Sequence, residues 1–152
     1  MKTLVAVLAV TAGGWLAPTA AAQMPAAQTT AASYQRDIFS ATNHQRRAHD
    51  RAALRHQACV QRKAVRQARR MAAREEMFHQ DLDAVLRDCD LRSAGENVAV
   101  GFDDGRSVVV DGWMQSPPHR ANILRGSFRL LGTGARRGDD GRWYAVQVFG
   151  RA

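Results

Sequence analysis

Apolar residues return at helical spacing twice in the first half of the chain. Between Tyr34 and His49, the residues Tyr34, Ile38, Phe39 and Thr42 share one stripe with polar residues between them, which predicts an amphipathic helix with one buried face. Val60, Ala64, Ala68, Met71 and Ala72 recur at steps of four and three and predict a second helix from Cys59 to Glu76. Its stripe is mostly alanine, a residue small enough to allow close packing against a sheet or another helix. Met77-Phe78-His79 ends it, and Asp81 to Arg87 predicts a short further turn before Cys89. Glu96 to Val100 then reads as a brief strand, because Val98 and Val100 alternate with smaller residues. Asp103 or Asp104 can cap a helix from Gly105 to Gln115, with Val108, Val109 and Trp113 on its buried side. Ser116 and two prolines stop that helix, and Arg120 to Leu124 predicts one more helical turn.

The last quarter changes period. Phe128 to Arg136 and Arg142 to Phe149 are strand-like, and Arg137-Gly138-Asp139-Asp140-Gly141 joins them as a β-hairpin. In the final run Tyr144, Val146 and Val148 point one way, and Trp143, Ala145, Gln147 and Phe149 the other. Both faces carry apolar bulk, so this strand belongs at the centre of a sheet covered on both sides by helices. Helices early, strands late and two-sided burial together predict an α+β protein, a three-layer α-β-α sandwich.

The N-terminus has a different grammar. Lys2 precedes an apolar stretch from Leu4 to Leu16, and Ala20-Ala21-Ala22 supplies a small-x-small cleavage pattern, so residues 1–22 read as a secretory signal peptide. A membrane anchor is the alternative, but the stretch is shorter than the roughly 20 residues that span a bilayer. No cysteine follows it, which argues against a lipid-anchored lipoprotein. Residues 23–33 are rich in Ala, Gln and Thr without periodicity and read as a flexible leader, leaving residues 34–152 as one domain. The expected location is outside the cytoplasm, in the periplasm or the medium.

Export changes the reading of Cys59 and Cys89. An even count in an oxidising compartment favours a disulfide, here closing a loop of about 30 residues; a catalytic thiol at Cys59, activated by neighbouring arginines, is the alternative. The formal net charge of +8 falls by one when Lys2 leaves with the signal, and much of the excess sits at Arg62, Lys63, Arg66, Arg69, Arg70 and Arg74. Such a face either keeps the protein solvated or attracts an anionic envelope partner; export argues against nucleic acid.

The candidate chemistry lies between Gly95 and Leu124. A glycine ahead of Glu96 suits a backbone bend or a close approach, while Pro117-Pro118 end one helix and present His119 at the opening of the next. Gly95-Glu96-Asn97 and Trp113-Met114-Gln115-Ser116-Pro117-Pro118-His119 resemble the two signature segments of the CAP superfamily, which includes cysteine-rich secretory proteins, antigen five and plant pathogenesis-related proteins. Asn43-His44-Gln45-Arg46 resembles the N-x-x-R of that family's first helix, and Leu54 falls where an apolar residue usually follows. The likeness is closest to small bacterial members and extends from Tyr34 to Gly150. It implies an α-β-α sandwich with a central, mainly antiparallel sheet.

The resemblance also implies a cleft in which two histidines and two acids gather and the histidines hold a divalent metal. His79, in Phe78-His79-Gln80-Asp81-Leu82, matches the first histidine; Glu96 matches one acid and His119 the second histidine. Where many eukaryotic members have a second acid, this chain has Ser116, as the bacterial branch does. The expected cleft is therefore His79, Glu96, Ser116 and His119, with His79 and His119 as ligands of a weakly bound zinc and Glu96 as the candidate acid or base. His44, His49 and His56 read as surface residues, Trp113 and Trp143 as core, and Asn97 and Asn122 as residues that serve backbone turns.

Three functions remain open on these residues. One is a secreted binding protein for a small amphipathic, lipid or sterol-like ligand, or for an anionic envelope component. The second is an extracellular metal-assisted or acid-base hydrolase of peptidase type, which lacks an evident nucleophile. The third is an inert structural module of the envelope. Enzymatic activity is thus neither required nor excluded.

Overall fold

The structure, a computed structural model, describes residues 29–152. The expected signal peptide, residues 1–22, and residues 23–28 of the expected leader lie outside the described residues. Helix α1, Ala31–Ala48, begins before the expected point because Thr30 and Ser33 form a capping box: Thr30 Oγ1 accepts from Ser33 N at 3.1 Å, and Ser33 Oγ accepts from Thr30 N at 2.9 Å. Residues 31–33, read above as leader, are its first turn. Tyr34, Ile38 and Thr42 are buried as expected, whereas Phe39 is half-buried at the margin of the stripe.

A two-residue strand β1, Arg55–His56, follows; it is too short to leave a period in the sequence. Helix α2, Ala58–Arg74, starts where Gln57 accepts from Val60 N at 2.7 Å and ends two residues before the predicted limit, at Glu75 in the left-handed region. Helix α3, Leu82–Cys89, is capped by Asp81, and a disulfide between Cys59 and Cys89 fastens it to α2. There is no free thiol, so the catalytic-cysteine alternative falls.

Strand β2, Ser93–Val100, is three residues longer at its start than predicted. The next helix was expected to be regular. Instead a single α-turn α4, Gly105–Ser107, capped by Asp104, widens into a π-turn at Val108–Gly112 and tightens into a 3₁₀-turn at Trp113–Gln115. The buried residues explain the change: Val108 and Val109 are followed by Trp113 and Met114 at a spacing of five, which a π-turn satisfies and an α-helix does not. Helix α5, Pro117–Leu124, takes both prolines into its first turn, where a missing N–H costs nothing, and so begins earlier than predicted.

Strands β3, Leu130–Arg137, and β4, Trp143–Arg151, form the predicted hairpin. The sheet order is β1-β3-β4-β2, antiparallel except for the β1–β3 pair. Strand β4 is central as expected. Its Tyr144, Val146 and Val148 pack with α2 and α3, while Ala145 and Phe149 pack on the opposite side with Tyr34, Ile38, Trp113 and Ile123. Trp143 is only half-buried, against Tyr34. These are the three layers of an α-β-α sandwich.

The alanine stripe of α2 lies directly on glycines of β3. A methyl group on Gly134 would sit 2.2 Å from the carbonyl oxygen of Ala64, and one on Gly132 would sit 2.4 Å from the carbonyl carbon of Val60. Both obstacles are backbone atoms and cannot swing aside. Gly134→Ala is therefore expected to lose about 2–3 kcal/mol of stability by overpacking, read as a lowered urea midpoint at unchanged slope.

Candidate functional site

Strand β2 is an edge of the sheet, and the candidate residues gather around it. Glu96 pairs across the ladder with Val148, so its side chain projects toward the α2–α3 layer; Asn97 pairs with Gln147 and projects toward α1 and α5. His79 comes from the loop between α2 and α3, and His119 from the first turn of α5. One histidine thus stands beside the edge strand on each helical layer.

The Glu96 side chain is completely buried, whereas that of His79 is 59% exposed. His79 Nδ1 donates to Glu96 Oε1 at 2.7 Å, and the same oxygen accepts from Gln80 N at 3.1 Å. Gln80 Nε2 donates to Oε2 at 2.5 Å. An ionised carboxylate only accepts, so this arrangement places the proton of a neutral His79 on Nδ1 and leaves Nε2 with its lone pair. The loop is held from behind as well, because Gln67 Nε2 donates to Phe78 O at 2.5 Å. Burial, and to a smaller degree the nearby His79 imidazole, push the His119 imidazole below its ordinary value, which favours its neutral form.

A chain of amides fixes His119. Asn97 Nδ2 donates to His119 O at 3.1 Å and to Gln147 Oε1 at 2.9 Å. Asn122 Nδ2 donates to Asn97 Oδ1 at 2.9 Å and to the edge carbonyl of Glu96 at 3.2 Å. Gln147 Nε2 then reaches Thr42 Oγ1 in α1. Asn97 and Asn122 therefore do not serve separate backbone turns: they lie in a regular strand and a helix, and they bond them together. Gly95 makes no bend either; a methyl group there would meet the Phe128 ring at 2.9 Å, so its glycine serves the close approach.

Ser116 takes part through its backbone, donating from N to Trp113 O and accepting at O from Arg120 N; its hydroxyl makes no capping bond. His44 and His56 are exposed, and His49 is half-buried between Gln45 O and Arg120 Nη2. Among the described residues, no three His, Cys, Asp or Glu side chains gather around a common point. His79 and His119 alone could hold an ion, with water completing its shell. That donor set fits a weakly held divalent ion and does not fit a closed structural site.

The pattern of the cysteine-rich secretory protein family, CAP, matches residues 39–149. The chain belongs to the CAP family. Its fold is also similar to that of an extracellular protein containing an SCP domain from Bacillus anthracis, with a TM-score of 0.69 and 26% identity over 80% of this chain and 41% of that one. An outer surface protein from Borrelia burgdorferi matches with a TM-score of 0.69 and 17% identity over 76% of this chain and 90% of its own. A cysteine-rich secretory protein from Staphylococcus aureus matches with a TM-score of 0.69 and 19% identity over 80% of this chain and 39% of its own. The last two likenesses are of fold alone. The chain thus spans about two fifths of the Bacillus and Staphylococcus proteins, and no curated protein matches it in sequence. Among the described residues of this CAP protein, no helix is long and apolar enough to cross a membrane.

Gln80, Gln147 and Thr42 were not anticipated as parts of the site. The signal for Gln147 was present: it is the one polar residue between Tyr144 and Gly150 in an otherwise apolar strand. Gln80 left none, because a glutamine in a loop is ordinarily solvated.

Proposed function

We propose that this CAP domain is an exported binding protein whose cleft at the β2 edge presents His79 and His119 to a small amphipathic or envelope-derived ligand, with a divalent ion such as zinc held weakly between the two imidazoles. The observation that carries the proposal is the state of Glu96. Its carboxylate is buried, and its bonds go to His79 and Gln80. A general acid or base must reach the proton it moves. Glu96 is instead a positioning residue that sets the tautomer and direction of His79, and Ser116 supplies no second acid to take its place. These features support recognition over hydrolysis. When bound, the ion supplies a Lewis-acidic anchor for an oxygen of the ligand. Export is supported by the apolar N-terminal segment, the disulfide, and the extracellular and outer-surface neighbours.

Calorimetric titration of the apo full chain with zinc chloride tests the cleft. Wild type is expected to show one weak site, lost in His79→Ala/His119→Ala. Glu96→Gln, which unlocks the His79 tautomer, is expected to weaken it about tenfold, as loss of such a partner commonly does. Equal zinc binding by wild type and the folded double variant would overturn the metal reading. Organic extraction and mass analysis test the ligand, which should accompany wild type and be lost in the same double variant.

A further inference from the structure

Helix α2 is charged in a way its own stability does not call for. It carries Arg62, Lys63, Arg66, Arg69, Arg70 and Arg74 and no acidic residue in 17 positions. Arg62 and Arg66, Arg66 and Arg70, and Arg70 and Arg74 each stand one helical turn apart, and like charges so placed destabilise a helix. The cations are also not equivalent. Lys63 is paired with Asp88, and it holds that carboxyl below the usual carboxylate range, with smaller help from Arg87 and Arg66. Arg70 and Arg74 lie over the Phe78 ring, 5.5 and 4.9 Å from its centroid.

Arg62, Arg66 and Arg69 remain. All three are exposed, and none forms an ion pair among the described residues. Residues 1–28 contain no Asp or Glu that could reach them. At 1.5 Å rise per residue they form a row with steps of about 6 and 4.5 Å along the outer face of α2. A shallow trough of about 390 Å³, lined by Gln61, Arg62, Val65, Arg66 and Arg69, runs beside it.

We propose that this row is a docking surface for a linear phosphate polyanion, which lies along α2 with one guanidinium to each phosphate it meets. Charge complementarity selects an anion, and the side-chain chemistry selects phosphate: the free cations are all arginine, whose planar fork binds phosphate through two parallel N–H bonds. A single row suits a chain better than a sheet of headgroups. No large apolar side chain is exposed on this face to enter a bilayer, Met77 beyond the helix being the exposed one among the described residues. No free aromatic ring lies there to stack on a base, since Phe78 is covered by Arg70 and Arg74. The proposal uses none of the cleft residues and stands apart from the reading of His79 and His119.

Long-chain inorganic polyphosphate is the probe, titrated against the full chain over a series of salt concentrations. The logarithm of the affinity is expected to fall against that of salt with a slope of about −2, as roughly three phosphate contacts require. Arg62→Gln/Arg66→Gln/Arg69→Gln should bind at least about tenfold more weakly, with a flatter slope and an unchanged or raised Tm, because it relieves repulsion within α2. Arg36→Gln/Arg47→Gln/Arg106→Gln removes the same charge from exposed positions elsewhere and should keep wild-type affinity within about threefold. Equal loss in the two variants would reduce the effect to net charge and overturn the proposal. So would wild-type affinity in the row variant, or tighter binding of duplex DNA or anionic-lipid vesicles than of polyphosphate, per phosphate, at one salt concentration.

Discussion

Arg46→Ala is expected to remove about 3–5 kcal/mol of stability, as loss of a buried, hydrogen-bonded charge commonly does, and to appear as a large fall in the urea midpoint. Arg46 is 0% exposed yet has no carboxylate partner among the described residues. Its guanidinium is held by carbonyls: Nε donates to Ala52 O at 2.7 Å, and Nη1 to Ile123 O at 2.7 Å and Arg125 O at 3.1 Å. Ile123 stands in the last turn of α5, where carbonyls lack helical donors and the helix dipole is negative, so a cation is favoured there. Burial, with the charges of Arg129 and Arg51 behind it, holds the guanidinium below its ordinary value, but an arginine remains charged. Truncation would leave three carbonyls bare and open a cavity between α1, the following loop and α5. Arg46→Lys keeps the charge without the fork and is expected to recover less than half of the loss. Arg46→Met keeps most of the volume and should remain nearly as unstable as alanine, because the carbonyls stay unpaired. Wild-type stability in Arg46→Met would show that packing, not hydrogen bonding, sets the value of this residue.

Arg46 also shows where a one-dimensional reading runs out. The stripes of α1 and α2 were legible because Tyr34 and Ile38, or Val60, Ala64 and Met71, are apolar and recur at the helical period. The hairpin was legible because β4 is apolar on both faces and its turn is rich in Gly and Asp. Arg46 continues the stripe of Ile38 and Thr42 but is polar, and polar residues on a stripe read as solvent-facing. Two of its three partners, Ile123 and Arg125, lie more than 70 positions away, as does the Thr42 that Gln147 meets, 105 positions apart. The family resemblance marked Arg46 as part of a motif without saying what it bonds. The π-turn escaped for a different reason: Val108, Val109 and Trp113 fit a helical stripe well enough that the spacing of five passed unnoticed.

The site divides in the same way. Glu96 and His119 stand out because glycine and prolines restrict their backbones, and that signal is local. His79 has no such frame and entered through resemblance alone. What the carboxylate does could not be read at all, since it depends on Gln80 and on burial by the α2–α3 layer. The hydrogen bonds of Glu96 to His79 and Gln80 are the geometry on which its proposed positioning role rests. It also gives the amides of Asn97 and Asn122 a shared task, joining the edge strand to the helix that carries His119.

Cys59→Ala/Cys89→Ala is expected to lose about 3.5 kcal/mol, the chain-entropy value for a loop of this length. The bridge joins residues 30 positions apart, from the first turn of α2 to the last residue of α3. Between them lies the loop that carries Phe78, His79 and Gln80, so the bond constrains one side of the candidate cleft as well as the unfolded chain. Helix α3 has little else to hold it: eight residues, with Val85 and Cys89 as its buried positions. Without the bridge, it should open ahead of the sheet and of α2, whose alanine stripe remains seated on Gly132 and Gly134. Hydrogen exchange in the double variant is therefore expected to show α3 unprotected while α2 and β4 stay protected. Reduction of wild type should reproduce both the loss of stability and that order. A double variant within about 1 kcal/mol of wild type would mean that α3 is kept in place by its own packing, and that the bridge adds little to the loop it closes.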